Sequence, residues 1–503
     1  MRKAIRNHSP TSRISGTGKR GSLRGIGGSG AGTIGRFAAI ALLGLLTAAA
    51  ILSLTCSRPQ ATRPNVLWIT MDSLRFGHLG CAGSPRAHTP TIDALASEGA
   101  LFTGNIAQST YTRVSVPSMI TGKYPFFAGI RMIVPDLDSS HVTLAEALAA
   151  EGYFTYGLLQ YWRPGFFQGF ETMGQQSEST IEKTEWCLET LDQLDDRPFF
   201  IWLYYWDPHA PYTPPAEHMR RYESDYVWDE DAPYHKPKAN ASDQELRDAS
   251  GHYAGSLIFL LEVNRGHITP TEAERDHLIN LYDAEIAFVD AALERVIDRI
   301  KELGKWDDTM VILNADHGEA FGEHGHYYHG YSIYEEEVRV PLIIKPPESG
   351  FPGKVVNGPV RNMDIMPTIL DYCGVSPPEQ MQAQSLRPFI ETDQQPDLPT
   401  CIETHRLQTQ THLLGYRDGR HKLIYNLSGG GSELYDLVAD PGETRDLLSG
   451  EPGEQTARLE TRLQNNLLEM LGVPDLAVLK LGDARTLMDQ QTRERLKALG
   501  YIY

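Results

Sequence analysis

Along this chain, short unbroken apolar runs that close on acids alternate with stretches of helical period. Residues 65–72 (NVLWITMD) form a near-continuous apolar run, the pattern of a strand buried on both faces, ending in Asp72. Residues 154–159, 198–206 (PFFIWLYYW) and 309–314 (TMVILN) repeat that pattern, while 91–99 and 141–152 read as helices. The run Thr269-Pro270-Thr271-Glu272 predicts a capping box with proline at the first helical position. The helix it opens should carry Leu278, Tyr282, Ile286, Val289, Leu293, Val296, Ile300 and Leu303 on one face and end at Gly304. Strands alternating with helices predict an α/β sandwich around a mainly parallel sheet. Ligands of such sheets collect at the carboxyl ends of strands, where this chain places Asp72, Asp207 with His209, and Asp316 with His317.

Two departures from the rhythm set the domain plan. Residues 218–268 are polar with interspersed aromatics, either an insertion over the site or a surface excursion. Beyond residue 375 short strands and turns take over, with a hairpin over 413–425 around Asp418-Gly419, a Gly/Ser turn at 428–432 and helical segments from Gln455. Residues 64–375 are therefore read as the catalytic domain and 376–503 as a smaller α+β subdomain with antiparallel strands and terminal helices.

Composition is that of a globular protein, 41% hydrophobic and 22% charged over 503 residues. The net charge of −19 hides an asymmetry: residues 1–36 carry only positive charge, so the rest is more acidic still. That excludes a nucleic-acid binder. Residues 37–55 are uncharged and apolar, long enough to span a bilayer, and the basic flank should stay in the cytoplasm. An uncleaved anchor over 37–56, a cleaved signal segment and a lipoprotein attachment at Cys56 all remain open. Each places the body, after a linker at 57–63, outside the cytoplasm (periplasmic or cell-surface). Cys81, Cys187, Cys373 and Cys401 are widely spaced, without a C-x-x-C, which argues against a zinc knuckle and leaves disulfides unassigned.

Cleaving a sulfate or phosphate ester needs a hard cation to polarise oxygens and a nucleophile beside it. Asp72, Asp316 and His317 are ligands of the right type from two strand ends. Residues 108–124 (QSTYTRVSVPSMITGKY) supply a hydroxyl-rich turn before a helix, whose N-terminal N–H groups favour a transferring oxyanion.

At this point the chain resembles the sulfatase family of the alkaline phosphatase superfamily. The resemblance rests on residues 64–80 (PNVLWITMDSLRFGHLG), 119–125, 206–214 (WDPHAPYTP), 279–290, 316–330 (DHGEAFGEHGHYYHG), 338–346, 364–374 and 433–444 (ELYDLVADPGET), which come in family order. It implies an α/β/α core of the alkaline phosphatase kind, one divalent metal and a C-terminal antiparallel sheet. The departure lies at the nucleophile. Sulfatases carry C-x-P-S-R or S-x-P-S-R, whose first residue becomes formylglycine, whereas here the position reads Thr112-Arg113-Val114-Ser115-Val116. No formylglycine is expected from threonine. Ser115-Val116-Pro117-Ser118-Met119 mimics the motif three residues too close to Thr121-Gly122. The stretch from Thr112 to Met119 is similar instead to the T-x-x-S-V-P-C-M segment of phosphoethanolamine transferases. That similarity implies Thr112 as nucleophile and metal ligand, with Asp72, Asp316 and His317 completing the ligand set. His209 and His329 resemble the residues that bind substrate and protonate the leaving group, and Glu319, Glu323, His324 and His326 are assigned supporting or surface roles. The arylsulfatase segment G-K-W-H-L-G has no match in 157–165 (GLLQYWRPG).

One histidine among carboxylates suits zinc or manganese; calcium, common in relatives, stays open. The expected function is a metal-dependent hydrolase or transferase acting on phosphate, or else sulfate, esters of extracytoplasmic substrates such as glycans or lipid head groups. The alternatives are a sulfatase working without formylglycine and an inactive scaffold.

Overall fold

The computed structural model describes residues 63–130, 136–159, 165–175, 177–222, 253–349, 351–379, 381–406, 411–429 and 431–479. In chain order its strands are β1 (Asn65–Met71), β2 (Ala100–Ile106), β3 (Phe154–Leu158), β4 (Thr172–Met173), β5 (Phe199–Tyr205), β6 (Thr309–Ala315), β7 (Ala320–Phe321), β8 (Tyr327–Tyr328), β9 (Leu342–Lys345), β10 (Lys354–Arg361), β11 (Thr400–Arg406), β12 (Thr411–Arg417), β13 (His421–Asn426) and β14 (Gly431–Asp436). The apolar runs became the sheet centre: β1 pairs in parallel with β5 on one side and β6 on the other, and every residue of all three is buried. Among the described residues the main sheet has the order β10-β2-β9-β6-β1-β5-β3-β4. Only β9 runs against its neighbours, so β1, β2, β5 and β6 all present their carboxyl ends at one edge.

Alternation along these strands feeds two cores. Val66, Trp68, Phe200, Trp202 and Ile312 face one side, with Trp68 and Trp202 stacked at 4.5 Å, against helices Thr112–Thr121 and Ile365–Tyr372. Leu67, Ile69, Ile201, Leu203 and Leu313 face the other, against helices Pro90–Glu98 and Glu272–Glu302. The result is the expected three-layer α/β sandwich with a mostly parallel sheet. β11–β14 form the smaller antiparallel C-terminal sheet, covered by helix Glu454–Leu471 through Leu463, Leu467 and Leu471.

The long helix buries the expected face, but its cap lies two residues further on. Thr271 accepts from the Glu274 N–H and Glu274 returns a bond to the Thr271 N–H, leaving Pro270 outside. The Thr271–Glu274 pair has the same capping-box spacing as the expected one, and both of its bonds close. Among the described residues Cys81, Cys187, Cys373 and Cys401 form no disulfide. The segments 1–36 and 37–56, residues 57–62 of the linker, and 223–252 of the region 218–268 lie outside the described residues. Among the described residues no helix is long and apolar enough to cross a membrane.

Candidate active site

Two strand ends and one helix start converge at the carboxyl edge. Asp72 follows β1, and Asp316 and His317 follow β6; all three are fully buried, and a ligand atom from each lies within 4.8 Å of the others. His317 Nε2 is 3.4 Å from Asp316 Oδ2 and 3.7 Å from Asp72 Oδ1. Its Nδ1 faces the Gly318 carbonyl at 2.9 Å; a carbonyl can only accept, so the proton sits on Nδ1 and the Nε2 lone pair faces the carboxylates. Thr112, half-buried, opens helix Thr112–Thr121 after β2, and its Oγ1 is 3.2 Å from the same Nε2. The structure thus brings together all four expected ligand residues. Ser115, part of the motif mimic, donates to the Asp316 carbonyl at 2.6 Å and ties this helix to the end of β6.

Second-rank residues fix the carboxylates, and the sequence reading missed them. Tyr204 Oη lies 3.1 Å from Asp72 Oδ2 and 2.9 Å from Asp316 Oδ2. Ser73 sits in the left-handed region at φ 61, uncommon for a residue with a side chain. There its N–H donates to Asp316 Oδ1 and its hydroxyl to Asp72 Oδ1. Lys183, fully buried, donates to the Tyr204 carbonyl at 2.6 Å; burial lowers its ammonium to about 8, against the pull of Asp207 and Asp72. Within the apolar run 198–206 the only signal for Tyr204 was its place beside the strand's carboxyl end. Lys183 has the sequence context of a surface helix. Asp207, the third strand-end acid, turns instead to the Thr180 hydroxyl.

Burial and the Asp316 charge push the Asp72 carboxyl well above its ordinary value, despite bonds from Ser73 and Tyr204. Two buried acids thus face one imidazole, a donor set of two oxygens and a nitrogen that a divalent cation fits and whose acid–acid repulsion it would relieve.

The other histidines stack beside this centre. The His329 ring is 4.3 Å from that of His317 and 4.9 Å from that of His209. Its Nδ1 faces Glu319 Oε1 at 3.2 Å and the Ser73 hydroxyl at 3.4 Å. Burial, then the neighbouring His317 and His209, hold His329 well below its usual value. Buried Glu319 also accepts from Tyr212 and is raised, chiefly by desolvation. The Glu337 carboxylate accepts from the Gly330 and Ser332 amides and so pins the His329 turn. His209 donates from Nδ1 to the Ala210 carbonyl, and Tyr328 Oη donates to its Nε2 at 3.1 Å; burial lowers its imidazole to about 3. Both ring nitrogens of His209 are thereby engaged. Glu323 pairs with Arg75, His324 with Glu336, and His326 stacks on Tyr331, all away from the centre.

The sulfatase family model matches residues 64–375, and a model of the N-sulphoglucosamine sulphohydrolase C-terminal region matches 322–471. The chain is 26% identical over 436 residues to an ulvan-active sulfatase of Formosa agariphila, covering 82% of each. It is 28% identical over 481 residues to the multifunctional alkaline phosphatase superfamily protein PehA of Trinickia caryophylli, covering 78% of this chain and 92% of that one. Its fold is similar to that of a phosphonate monoester hydrolase of Agrobacterium radiobacter, with TM-score 0.65 and 21% identity over 82% of this chain and 96% of that one. It is also similar to that of a protein solved with its substrate D-glucosamine-2-N,6-O-disulfate, with TM-score 0.69 and 20% identity over 82% and 99%. With its catalytic layers and its smaller sheet both matched, the chain belongs to the sulfatase family of the alkaline phosphatase superfamily and is an enzyme acting on sulfuric or phosphoric esters.

Proposed function

We propose that the chain is a metal-dependent hydrolase or transferase that cleaves phosphate esters outside the cytoplasm with Thr112 as its nucleophile. The observation that carries this reading is Thr112 Oγ1 at 3.2 Å from His317 Nε2, at a helix start facing two buried carboxylates. Asp72, Asp316 and His317, with Thr112, would hold one divalent ion, zinc or manganese by donor type with calcium still open. Bound there, the ion lowers the pKa of the threonine hydroxyl and neutralises charge on the ester.

The chain's own groups do the rest. Thr112 Oγ1, its hydroxyl proton released to solvent, forms a bond to phosphorus as the phosphorus–oxygen bond to the alcohol breaks, giving a phosphothreonine. The departing alkoxide takes a proton from His329 Nε2 while His329 Nδ1 takes one from the Glu319 carboxyl at 3.2 Å, which burial keeps protonated. Water, or an acceptor alcohol, then attacks phosphorus while His329 takes the proton back. The helix N-terminus points N–H groups at the transferring oxyanion. His209, engaged at both nitrogens, positions rather than donates. Glycan and lipid head-group esters both fit this chemistry, and the basic 1–36 and apolar 37–55 segments support an extracytoplasmic, membrane-tethered body.

A second reading, sulfate-ester hydrolysis without formylglycine, draws on the relative named an ulvan-active sulfatase and on the sulphohydrolase C-terminal match. Phosphate monoesters, phosphodiesters and sulfate esters offered to metal-loaded wild type and Thr112→Ala separate the two. Phosphate-ester turnover lost in Thr112→Ala is the expected result. Sulfate-only turnover would establish the second reading, and undiminished turnover in the variant would remove the nucleophile.

A further inference from the structure

The region 218–268 breaks the rhythm of strands and helices, and its described C-terminal part contains helix Tyr253–Asn264. Phe259 and Leu260 of this helix are fully buried in the core that also holds Tyr327, Tyr328 and Tyr331. The helix ends on Asn264, whose side chain reaches the backbone of β8. Its Nδ2 donates to the Tyr327 carbonyl at 2.5 Å, and its Oδ1 accepts from the Tyr327 N–H at 2.9 Å. A backbone N–H can only donate and a carbonyl can only accept, so these two bonds fix which way the amide points.

Tyr327 leads into the segment that carries His329. The next residue, Tyr328, sits in the left-handed region at φ 72, where a bulky side chain is rare and persists when its surroundings hold it. Its hydroxyl meets His209 Nε2 at 3.1 Å. Just past His329, Gly330 packs against Tyr111, the residue before Thr112; a Cβ on Gly330 would come within 2.3 Å of that ring. The Gly330 N–H is tied in turn to the Glu337 carboxylate at 2.7 Å. The His329 backbone is therefore gripped on both sides, by Glu337 after it and by Asn264 before it. Placement decides what a proton donor is worth, since a shift of about 1 Å at a reacting group can cost about 100-fold in rate.

We propose that Asn264 is a positioning residue of the ester-cleaving site, holding segment 327–330 so that His329 reaches the leaving-group oxygen. The role rests on the reading of His329 as proton donor, and it gives helix Tyr253–Asn264 a part in catalysis beyond packing.

Leaving groups of different basicity test it. An alkoxide needs a proton as it departs, whereas 4-nitrophenolate leaves with little help. Steady-state kinetics of metal-loaded wild type, Asn264→Ala, Asn264→Asp, His329→Ala and the Asn264→Ala/His329→Ala double variant are compared on an alkyl and a 4-nitrophenyl ester of the class that wild type cleaves. Thermal melting checks folding. Asn264→Ala should lower kcat about tenfold or more on the alkyl ester and less than about threefold on the 4-nitrophenyl ester, with KM little changed. Asn264→Asp keeps the acceptor for the Tyr327 N–H and loses the donor, so it should fall in between, and it serves where alanine fails to fold. The double variant should be no slower than His329→Ala on the alkyl ester. Equal losses on the two esters, no loss, or a further full loss on top of His329→Ala overturns the positioning role. If wild type cleaves no ester, or His329→Ala spares both, the reading of the site fails separately. Amide hydrogen exchange then judges the clamp: faster exchange over 327–330 in Asn264→Ala upholds it, and unchanged exchange overturns it.

Discussion

Two buried clusters of acids in this molecule have opposite electrostatics. At the centre, Asp72 and Asp316 face His317, and burial with the neighbouring Asp316 charge raises Asp72 well above its usual value. Under the antiparallel sheet, Glu335 meets Arg417 at 3.1 Å and Lys422 at 3.3 Å, and Glu443 meets Lys422 at 2.9 Å. Burial alone would raise Glu335, but Arg417 and Lys422 outweigh it and bring that carboxyl down to about 2. Both acids of the second cluster meet cationic side chains, although burial still holds Glu443 up at about 7, whereas among the described residues no Lys or Arg contacts the two acids at the centre. A buried pair of acids without a matching cation is costly to the fold, and here it sits beside a hydroxyl at a helix start. The balanced cluster instead clamps the segment carrying His329 to the smaller sheet, since Glu335 also donates its N–H to Glu443 at 2.6 Å.

The sharpest break in this comparison is catalytic. Thr112→Ala should lower ester turnover by about 10³-fold or more, as removing a nucleophile does, and steady-state kinetics on metal-loaded protein reads it. Next comes the response to metal. Wild type should gain about 2.7 kcal/mol of unfolding free energy at a metal concentration a hundredfold above Kd. Asp316→Asn should lose that gain, and in chelator it should melt above metal-free wild type because one repelling acid is gone. Lys422→Met should act in the opposite sense, destabilising the protein by about 3 kcal/mol in urea unfolding whether or not metal is present, because it leaves buried acids uncompensated. Tyr204→Phe removes only the hydroxyl that steadies both carboxylates, so metal affinity should fall about 10- to 100-fold.

The smallest effect concerns pH. Burial would lower the His324 imidazole, but Glu336 at 2.6 Å outweighs it and pushes the group up to about 9. A histidine raised in the folded state adds stability fully present below its unfolded value near 6.5 and lost as pH rises through about 9. Wild type should therefore exceed His324→Gln by about 1 kcal/mol below pH 6.5, partial exposure included, and the two should converge above pH 9.

The sheet centre and the meeting of Asp72, Asp316 and His317 were legible because apolar runs and strand-end acids are local patterns. β2 was not. Its sequence ALFTGNI is broken by Gly104 and Asn105, and both are explained only by distant partners. A Cβ at Gly104 would come within 2.3 Å of the Gly358 carbonyl, and Asn105 is buried because its amide reaches Asn362 Oδ1 at 3.1 Å. Lys183 likewise reads as a solvated helix residue until β5 supplies the carbonyl that holds it. Thr112 was singled out by family spacing, while Tyr204 and Ser73 depend on contacts between segments far apart in the chain. The capping box moved by two residues because two overlapping matches of the same spacing, Thr269–Glu272 and Thr271–Glu274, compete.

The most direct measurement is mass spectrometry of metal-loaded protein quenched during turnover of a phosphate ester. The expected result is a phosphoryl group on the peptide containing Thr112, absent from Thr112→Ala. An unmodified Thr112 peptide, together with full turnover by the alanine variant, would contradict the assignment of Thr112 as nucleophile.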